Sequence, residues 1–392
     1  MSQQFKSRPK RLARLAGLAV MSSAALALSA CGASGGTSPA STSSAVPAAV
    51  TAAVTSHLHA APLDYPGTKF DASPARGKTV WWITHEAQNP VLAVLGDNFK
   101  AALGRVGVKV VACDGKSNPV DENNCFSQAI AQKADLIQID GSGTPATYQN
   151  SLTKAKAAGI PVLAGASVDA SDPLYAGLSG QSSQAFKLNG KLIADWIIRD
   201  SKADAHVLFL TVPDVDGSVE EQKAFSAELK AQCPACSATV TGVTLANWAS
   251  DLATTVNASL LRNPKIDYVA PAFDPMTQFT NPAIQQAGKA STVKVVSSAG
   301  SEQPMKDMQQ GGGVNAANIG IDIYGWGFIE ADLALRALVG APTVKNAIAP
   351  TRIFDASNIK GLTIDGKSFA SGAWYRDPSK TSEFFDSLWG LK

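Results

Sequence analysis

The sequence lacks an excess of charge of either sign. Its 392 residues include 34 lysines and arginines against 32 aspartates and glutamates, so the formal net charge is +2. Five of the basic residues precede Cys31, and the chain beyond that cysteine is therefore slightly acidic. No run of basic residues that would attract a polyanion stands out. This balance excludes nucleic acid as an expected partner.

Long hydrophobic runs are lacking too. The apolar stretch over residues 15–28 is shorter than the ~20 residues that a membrane-spanning helix needs. Basic residues precede it and small residues follow, which is typical of an export signal covering residues 1–31. The quartet Leu28-Ser29-Ala30-Cys31 resembles the lipobox of bacterial lipoproteins, which implies that Cys31 becomes the first mature residue and is lipidated. The alternative is an ordinary secretory signal with a chance cysteine.

Charged residues are absent between Cys31 and Asp64, where Gly, Ser, Thr, Ala and Pro dominate. Such a segment buries too little apolar surface to offset the entropy lost on ordering. We therefore expect residues 32–75 to form a flexible tether. His57 and His59 lie in it and are expected to be solvated rather than metal ligands.

Signatures of catalysis are also missing. No glycine-rich phosphate loop follows a predicted strand, because Gly311–Gly313 comes after a helical pattern. No Gly-x-Ser-x-Gly nucleophile elbow joins a predicted strand to a helix. We therefore expect no enzymatic activity, no metal and no cofactor.

Cysteine is scarce, and the four cysteines after Cys31 form an even number in an exported chain, which favours disulfides. The economical pairing joins Cys113 to Cys125 and Cys233 to Cys236. A redox or zinc role for the Cys-Pro-Ala-Cys motif is the alternative. A redox motif would open a helix, whereas this one follows a helical pattern, and a second zinc-ligand pair at similar spacing is missing.

What the sequence does contain is a regular alternation from Lys78 onward. Buried-strand runs such as Thr79–Thr84 alternate with segments of helical periodicity, which predicts an α/β fold with doubly wound parallel sheets. The chain beyond residue 75 is too long for one compact core, so two lobes are expected. Ligands bind beyond the carboxyl ends of such strands. The polar cluster from His85 to Asn89 lies at one such end.

The order and spacing of these segments resemble the type I periplasmic binding proteins of the ribose- and galactose-binding class, which capture substrates for ABC importers. The resemblance rests on the succession "NPVLAVLGDNFKAAL", "AIAQKADLIQID", "AKAAGIPVL" and "IDYVAPAFDPM". It implies two lobes with a three-strand hinge that closes on the ligand. It places residues 76–180 and 299–340 in lobe 1, and 181–298 and 341–392 in lobe 2. The implied crossings lie near residues 178–181, 297–300 and 340–350.

Candidate ligand-binding residues follow from the family positions and the predicted strand ends. They are Glu86, Asn89, Gln181, Glu221, Trp248, Phe273, Asp274 and Asn318. Asn89-Pro90 matches the family's Asn-Pro pair, but Val91 and Leu92 replace two aromatic residues. Both of the family's arginines are missing: Ala166-Ser167 replaces an Asp-Arg pair, and Glu221 replaces the second arginine.

These departures bear on the ligand. Arginine forks grip oxygen-rich ligands in bidentate fashion, so their loss argues against a pyranose held in the usual way. Trp248 and Phe273 would offer apolar faces, and the acids would add negative charge. A sugar or sugar-like molecule is expected, with aromatic or cationic character open. Packing remains an alternative for Phe273 and helix capping for Asp274, and His85 is interpreted as solvated or structural.

The resemblance implies an exported, monomeric binding protein, lipid-anchored to the outer face of the cell membrane. Its partners would be a small-molecule ligand and the membrane permease of an ABC importer. The alternative is a sensor accessory that presents the same kind of ligand to a membrane receptor or kinase. A transcription regulator of this fold is disfavoured by the export signal and by the absence of an N-terminal helix-turn-helix pattern.

Overall fold

The computed structural model describes residues 45–60, 63–142, 145–167, 177–345 and 347–391. The predicted signal segment 1–31 and its Cys31 lie outside the described residues. None of the described helices is long and apolar enough to cross a membrane. The described residues from 45 onward form two lobes, each built on a six-stranded sheet.

The sheet of lobe 1 has the strand order β2-β1-β3-β4-β5-β11, and all of its strands are parallel. Its strands are β1 (Thr79–Thr84), β2 (Lys109–Asp114), β3 (Leu136–Asp140), β4 (Val162–Ser167), β5 (Gly180–Ser183) and β11 (Ala347–Ile348). The helices of this lobe are α2 (Pro90–Gly104), α3 (Pro119–Ala131), α4 (Gln149–Ala157), α10 (Ile323–Val339) and α12 (Pro378–Leu388).

The sheet of lobe 2 has the order β7-β6-β8-β9-β10-β12, in which only β12 is antiparallel to its neighbour. Its strands are β6 (His206–Thr211), β7 (Ser237–Gly242), β8 (Tyr268–Pro271), β9 (Lys294–Ala299), β10 (Asn315–Ile321) and β12 (Thr351–Asp355). The helices of this lobe are α1 (Ala48–His57), α5 (Phe186–Asp200), α6 (Asp216–Gln232), α7 (Trp248–Arg262), α8 (Thr277–Gln286) and α9 (Glu302–Gln310). The predicted fold class, an α/β protein with two doubly wound parallel-sheet lobes, is confirmed.

Local sequence determines where several helices begin. Asn89 caps α2 by accepting a hydrogen bond from the Val91 amide at 3.0 Å, and Pro90 occupies the first helical position. Asn118 caps α3 and Asp377 caps α12, each again followed by proline. Proline is tolerated there because the first amides of a helix have no intrahelical partner.

Two glycines let α2 pack closely inside lobe 1. A Cβ on Gly96 would lie 2.3 Å from the Trp82 ring, and one on Gly327 of α10 would lie 3.0 Å from the Phe99 amide nitrogen. Trp82 is therefore a core residue beneath α2. Any larger side chain at either glycine would push the helices apart.

The crossings between lobes differ from two of the three predicted positions. The chain leaves lobe 1 after β5, at residues 184–185, returns after β10 at Asp322, and crosses again at residues 349–350. The prediction that residues 299–340 all belong to lobe 1 was therefore wrong, because β10 pairs with β9 in lobe 2. Strand periodicity cannot say which sheet a strand joins, since both sheets are built alike.

The C-terminal segment 341–392 was assigned to lobe 2, and this too is corrected. Strand β11 pairs with β5 of lobe 1, whereas β12 pairs with β10 of lobe 2. Helix α12 buries Phe385 and Leu388 in the core of lobe 1. Between them, α11 (Gly366–Ser371) and the turn that follows pack against residues of both lobes.

The predicted flexible tether over residues 32–75 is also corrected for its described part. Residues 48–57 form α1, which buries Val50 and Val54 in the core of lobe 2. Tyr65, Ala72 and Ala75 are buried in the core of lobe 1. A few well-placed apolar residues thus dock a segment whose overall composition is that of a linker.

Disulfides join Cys113 to Cys125 and Cys233 to Cys236. Cys113 lies in β2 and Cys236 directly precedes β7, and these are edge strands of the two sheets. An edge strand has hydrogen bonds on one side only. Each cross-link therefore fastens a strand that has a single neighbour in its sheet.

Candidate functional site

The carboxyl ends of the two parallel sheets are neighbours in space. Each crossing leaves a strand at its carboxyl end, and the linkers to the next element of the other lobe contain one or two residues. Such short linkers hold the ends of β5, β10 and β11 beside the opposite lobe. The loops after the strands therefore line an interlobe cleft, which is where this architecture collects ligands.

On the side of lobe 1, Glu86 and Asn89 lie in the loop after β1 and are half-buried. The Asn89 side-chain oxygen is engaged in capping α2. This capping interaction uses only the oxygen, so both N–H donors of the Asn89 Nδ2 atom can bond another group. Gln181 lies within β5 opposite Ala164 and is also half-buried. These three predicted residues are thus brought to one edge of lobe 1.

His85, which the sequence alone did not mark as a ligand residue, belongs to the same edge. Its Nδ1 lies 2.7 Å from Oε1 of Glu122 in α3, and the Ser142 hydroxyl donates to that same oxygen at 3.1 Å. The Glu122 side chain is buried, and the His85 Nε2 atom is buried without a hydrogen-bond partner among the described residues. In a neutral imidazole whose Nδ1 donates a hydrogen bond to this carboxylate, Nε2 is an acceptor.

Sequence reasoning missed this dyad because its members lie 37 residues apart. The available signal was position. His85 directly follows β1, and Glu122 lies in the first turn of α3. The two elements meet only once β1 and β2 are paired and α3 is laid over them.

On the side of lobe 2, Trp248 and Phe273 form an apolar wall. Both are half-buried, and their ring centroids lie 6.4 Å apart with the planes inclined at 38°. Phe186, the first residue of α5, packs against Phe273. The Trp248 Nε1 atom is buried without a hydrogen-bond partner among the described residues. The wall therefore combines apolar ring surface with one unused donor.

Asp274 follows β8 and is enclosed by donors from its own lobe. Its carboxylate accepts from Ser297 Oγ at 2.6 Å, from the Ser301 amide at 2.6 Å and hydroxyl at 2.9 Å, and from Asn318 Nδ2 at 2.7 Å. Burial raises the pKa of Asp274, and these hydrogen bonds oppose the rise. Asp274 and Asn318 are each only 1% exposed. Together they tie the loops after β8 and β9 to β10, and the geometry does not present them to a ligand.

Glu221 is likewise an interior residue. It is 0% exposed, and its carboxyl accepts from the Ser298 hydroxyl at 3.3 Å between α6 and β9. Burial raises the pKa of Glu221 well above its ordinary value. At the position predicted to replace the family's second arginine, the Glu221 carboxyl thus faces β9.

Two further buried carboxyl groups lie in lobe 1 and form a pair. Asp140 at the end of β3 and Glu330 of α10 converge over Gly165, where an added Cβ would lie 2.1 Å and 2.0 Å from their oxygens. Burial raises the pKa of Asp140 to about 6, and burial together with the Asp140 charge raises that of Glu330 well above its usual range. Ser182 of β5 donates to Glu330 at 2.7 Å. Asp140 and Glu330 thus link the sheet to α10 beneath the hinge.

The cleft edge therefore offers acceptors and a donor from one lobe and an aromatic wall from the other. Among the described residues, no group of three or more His, Cys, Asp or Glu side chains could hold a metal ion. Such a set of groups can bind a small molecule that has both apolar and hydroxyl-bearing faces.

Comparison with known proteins gives the same architecture. A family model for the periplasmic binding protein domain matches residues 80–342. A sugar ABC transporter protein from Yersinia enterocolitica shares 20% identity and a TM-score of 0.66, over 82% of this chain and 98% of its own. A solute-binding protein from Agrobacterium vitis, bound to α-D-tagatopyranose, shares 19% identity and a TM-score of 0.66, over 73% of this chain and 97% of its own.

A 5-methylthioribose transporter solute-binding protein from Thermotoga lettingae, in complex with 5-methylthioribose, shares 19% identity and a TM-score of 0.65, over 81% of this chain and 99% of its own. No curated protein matches the sequence. The family model extends over more than half of the chain and includes both lobes. This chain is therefore a member of the periplasmic binding protein family, with the type I fold.

Proposed function

We propose that this protein captures a sugar or a sugar derivative in its interlobe cleft and delivers it to the permease of an ABC importer. The observation that carries the proposal is the pairing of a half-buried aromatic wall, Trp248 and Phe273, with the polar edge of lobe 1 across the hinge. Sugar rings offer an apolar face to aromatic rings and hydroxyls to polar groups. The structural neighbours bound to tagatopyranose and to 5-methylthioribose support this class of ligand.

Four residues are proposed to contact the ligand directly from lobe 1: Glu86, Asn89, Gln181 and, newly, His85. Trp248 and Phe273 contact it from lobe 2. Asp274, Asn318 and Glu221 act indirectly by holding the loops of lobe 2 in place. Neither of the family's two arginines is present, so bidentate hydrogen bonds from guanidinium groups to ligand oxygens are lost. We therefore propose a ligand with fewer hydrogen-bonded oxygens than a common hexose, such as a deoxy or alkylthio sugar.

The mechanism is closure without chemistry. A ligand that touches both lobes binds the closed arrangement better than the open one and shifts the population toward it. We propose that the protein is not an enzyme and uses no cofactor. It acts as a monomer, and the closed form is the one that the permease recognises.

Membrane attachment through a lipidated Cys31 is part of the proposal and rests on the Leu-Ser-Ala-Cys motif. We expect Cys31→Ala to release the protein from the membrane fraction or to block its processing, whereas Ser34→Ala, in the same segment, should leave both unchanged. A Cys31→Ala protein that fractionates like its parent would contradict the anchor.

A thermal-shift screen tests the ligand class. The panel comprises 5-methylthioribose, tagatose, allose, common hexoses and pentoses, with aromatic amines and nucleosides as the competing classes. A ligand at 100 times its Kd adds about 2.7 kcal/mol to the free energy of unfolding. In lobes of this size that raises Tm by roughly 2–4 °C per kcal/mol.

Calorimetry on each hit then gives Kd, and uptake by cells lacking the gene distinguishes import from sensing. Stabilisation by a sugar and loss of uptake would support the proposal. Stabilisation by amines alone would contradict the sugar class. Unchanged uptake, together with loss of a transcriptional response to the sugar, would favour the sensor accessory.

A further inference from the structure

The N-terminal strap, which we define as residues 48–60 and 63–75, precedes the range that the family model matches. It is attached to both lobes of the protein. The first attachment lies on lobe 2 and the second on lobe 1, and each consists of buried contacts.

The attachment to lobe 2 is made by α1 and the residue that follows it. Val50 and Val54 are fully buried in the core of that lobe, where α1 packs on α5 and β12. The Leu58 carbonyl accepts hydrogen bonds from Arg352 Nε at 3.2 Å and from Asn358 Nδ2 at 2.8 Å. Arg352 lies in β12, two residues beyond the third crossing.

The attachment to lobe 1 centres on a buried ion pair of α10. The Tyr65 hydroxyl donates to Asp332 at 2.6 Å, and Arg336 Nε donates to the same carboxylate at 2.6 Å. Arg336 also donates to the Thr68 carbonyl at 2.6 Å, and its guanidinium lies 4.4 Å from the centre of the Phe70 ring. The strap thus supplies hydrogen-bond partners to Asp332 and Arg336, which are buried charged groups and would otherwise have fewer partners.

This second attachment continues along the C-terminal helix. The Phe70 amide donates to the Leu388 carbonyl at 2.9 Å, and the Ala72 amide donates to the Trp389 carbonyl at 3.1 Å. Ala72 and Ala75 are fully buried. The strap is therefore fastened to lobe 1 by backbone as well as side-chain hydrogen bonds.

The two attachments are separated by a short piece of chain. Only six residues lie between Leu58 and Tyr65. Fully extended, that connection spans at most ~25 Å, given a reach of about 3.3–3.6 Å per residue. A hinge motion that moved the two attachments farther apart than this would have to undock one of them.

We propose that the strap is a fourth link between the lobes, which limits how far they separate. The three crossings of the family fold allow the hinge to open, and the strap adds a covalent tie whose ends are docked non-covalently on either side. A limit on opening raises the fraction of molecules in arrangements that bind ligand, and so lowers the apparent Kd. The strap thus limits how far the cleft opens without contacting the ligand.

The test cuts the strap between its attachments and measures the distance between the lobes. A six-residue recognition sequence for a site-specific protease replaces residues 59–64 in the full chain, so that the connection between the two attachments keeps its length. Spin labels are placed on Val120→Cys of α3 and Leu261→Cys of α7, which are 67% and 80% exposed in lobes 1 and 2. Cys31→Ala removes the remaining cysteine outside the two disulfides. Pulsed electron double resonance then gives the interlobe distance distribution of the unliganded protein before and after cleavage.

The matched control carries the same recognition sequence in the exposed turn 311–313, which lies within lobe 2. We expect cleavage of the strap to broaden the distribution and shift it to longer distances, and cleavage of the control to leave it unchanged. Identical distributions before and after strap cleavage would overturn the proposal. So would equal broadening in the control, because that would indicate general loosening. The readout needs no ligand, so the outcome is independent of the proposed function.

A second variant removes one docking contact instead of the covalent tie. Tyr65→Phe deletes the hydroxyl that Asp332 accepts and keeps the ring in the core. We expect the same direction of change as on cleavage, but smaller. If the interlobe distance distribution changes after cleavage but not in Tyr65→Phe, the strap still limits opening, and the other contacts of the strap hold it on lobe 1. A Tyr65→Phe effect larger than that of cleavage would contradict the tie.

Discussion

Nδ1 of His85 lies 2.7 Å from Oε1 of Glu122, and the two residues join the end of β1 to the first turn of α3. A neutral histidine in this contact carries its proton on Nδ1 and presents Nε2 as an acceptor. The buried Nε2 atom has no other partner among the described residues. We interpret the dyad as an acceptor held ready for a ligand hydroxyl.

The first prediction concerns that tautomer. Two-bond ¹H–¹⁵N correlation spectra of the unliganded protein should include the signals of a histidine with a protonated Nδ1 that disappear in His85→Gln. Glu122→Gln should shift the equilibrium toward the Nε2-protonated form, because an amide can donate to Nδ1, and should weaken sugar binding several-fold. Asp121→Asn, on the adjacent position of α3, is the control and should change neither. If His85 keeps the parent's tautomer in Glu122→Gln, Glu122 does not position the His85 proton.

The second prediction concerns the aromatic wall. Trp248→Ala should weaken binding of the cognate ligand tenfold or more, which corresponds to ~1.4 kcal/mol. Trp248→Phe keeps a ring but removes the unused Nε1 donor, so it separates stacking from hydrogen bonding. Parent-like affinity in Trp248→Phe would assign the effect to the ring face, and parent-like affinity in Trp248→Ala would place the ligand elsewhere. Calorimetry measures all three proteins.

The third prediction concerns Asp274, whose carboxylate accepts from three residues of lobe 2. Asp274→Ala leaves buried donors unpaired, and such groups cost about 1–3 kcal/mol each. The free energy of unfolding in urea should therefore fall by at least that amount. Asp251→Ala, which removes an exposed aspartate from α7, should leave stability within about 0.5 kcal/mol of the parent. If Asp274→Ala loses ligand binding while its free energy of unfolding is unchanged, Asp274 contacts the ligand instead of stabilising lobe 2.

The fourth prediction concerns Asp195 of α5, which is buried and whose Oδ1 has no hydrogen-bond partner among the described residues. Burial, reinforced by the negative charge of Glu228, raises its pKa from 3.8 to about 7. The folded protein thus binds more protons than the unfolded chain between these values, and this group makes stability fall as the pH rises from about 4 to 7. Asp195→Asn should therefore be more stable than the parent at pH 8, by on the order of 1 kcal/mol or more.

At pH 4 the stabilisation by Asp195→Asn should be much smaller, because the carboxyl is then largely protonated in the folded parent. Urea unfolding at the two pH values measures the difference. Asp200→Asn, at the C-terminal end of the same helix, is the control: Asp200 pairs with Lys294 at 2.6 Å, so its replacement should not stabilise the protein at pH 8. A gain for Asp195→Asn that is equal at both pH values would contradict the charge-burial account.

The fifth prediction concerns the cross-links. Peptide mapping of the exported protein without reduction should yield Cys113 linked to Cys125 and Cys233 linked to Cys236. In the chain-entropy model, closing these 12- and 3-residue separations stabilises by about 3 and 1.6 kcal/mol. Cys125→Ser should therefore lower stability more than Cys236→Ser. Four free thiols, or the opposite order of stability, would contradict the prediction.

Much of the fold was accessible from sequence because it depends on local pattern. Runs such as Thr79–Thr84 read as buried strands, and Asn-Pro or Asp-Pro pairs mark helix starts through capping. The regular alternation of these elements predicted the two lobes. The carboxyl ends of the predicted strands also led to the prediction that the loop from His85 to Asn89 contributes to a ligand-binding edge.

Local sequence pattern thus accounts for the set of elements, the export signal pattern and the family resemblance. Which sheet β10 joins depends on tertiary structure, because the pattern of a buried strand carries no label for its partner. Tertiary structure turned Glu221 and Asp274 inward and brought Glu122 to His85, since such contacts depend on helix placement over the sheet. It also docked Tyr65 onto Asp332, 267 residues away, which no local pattern encodes.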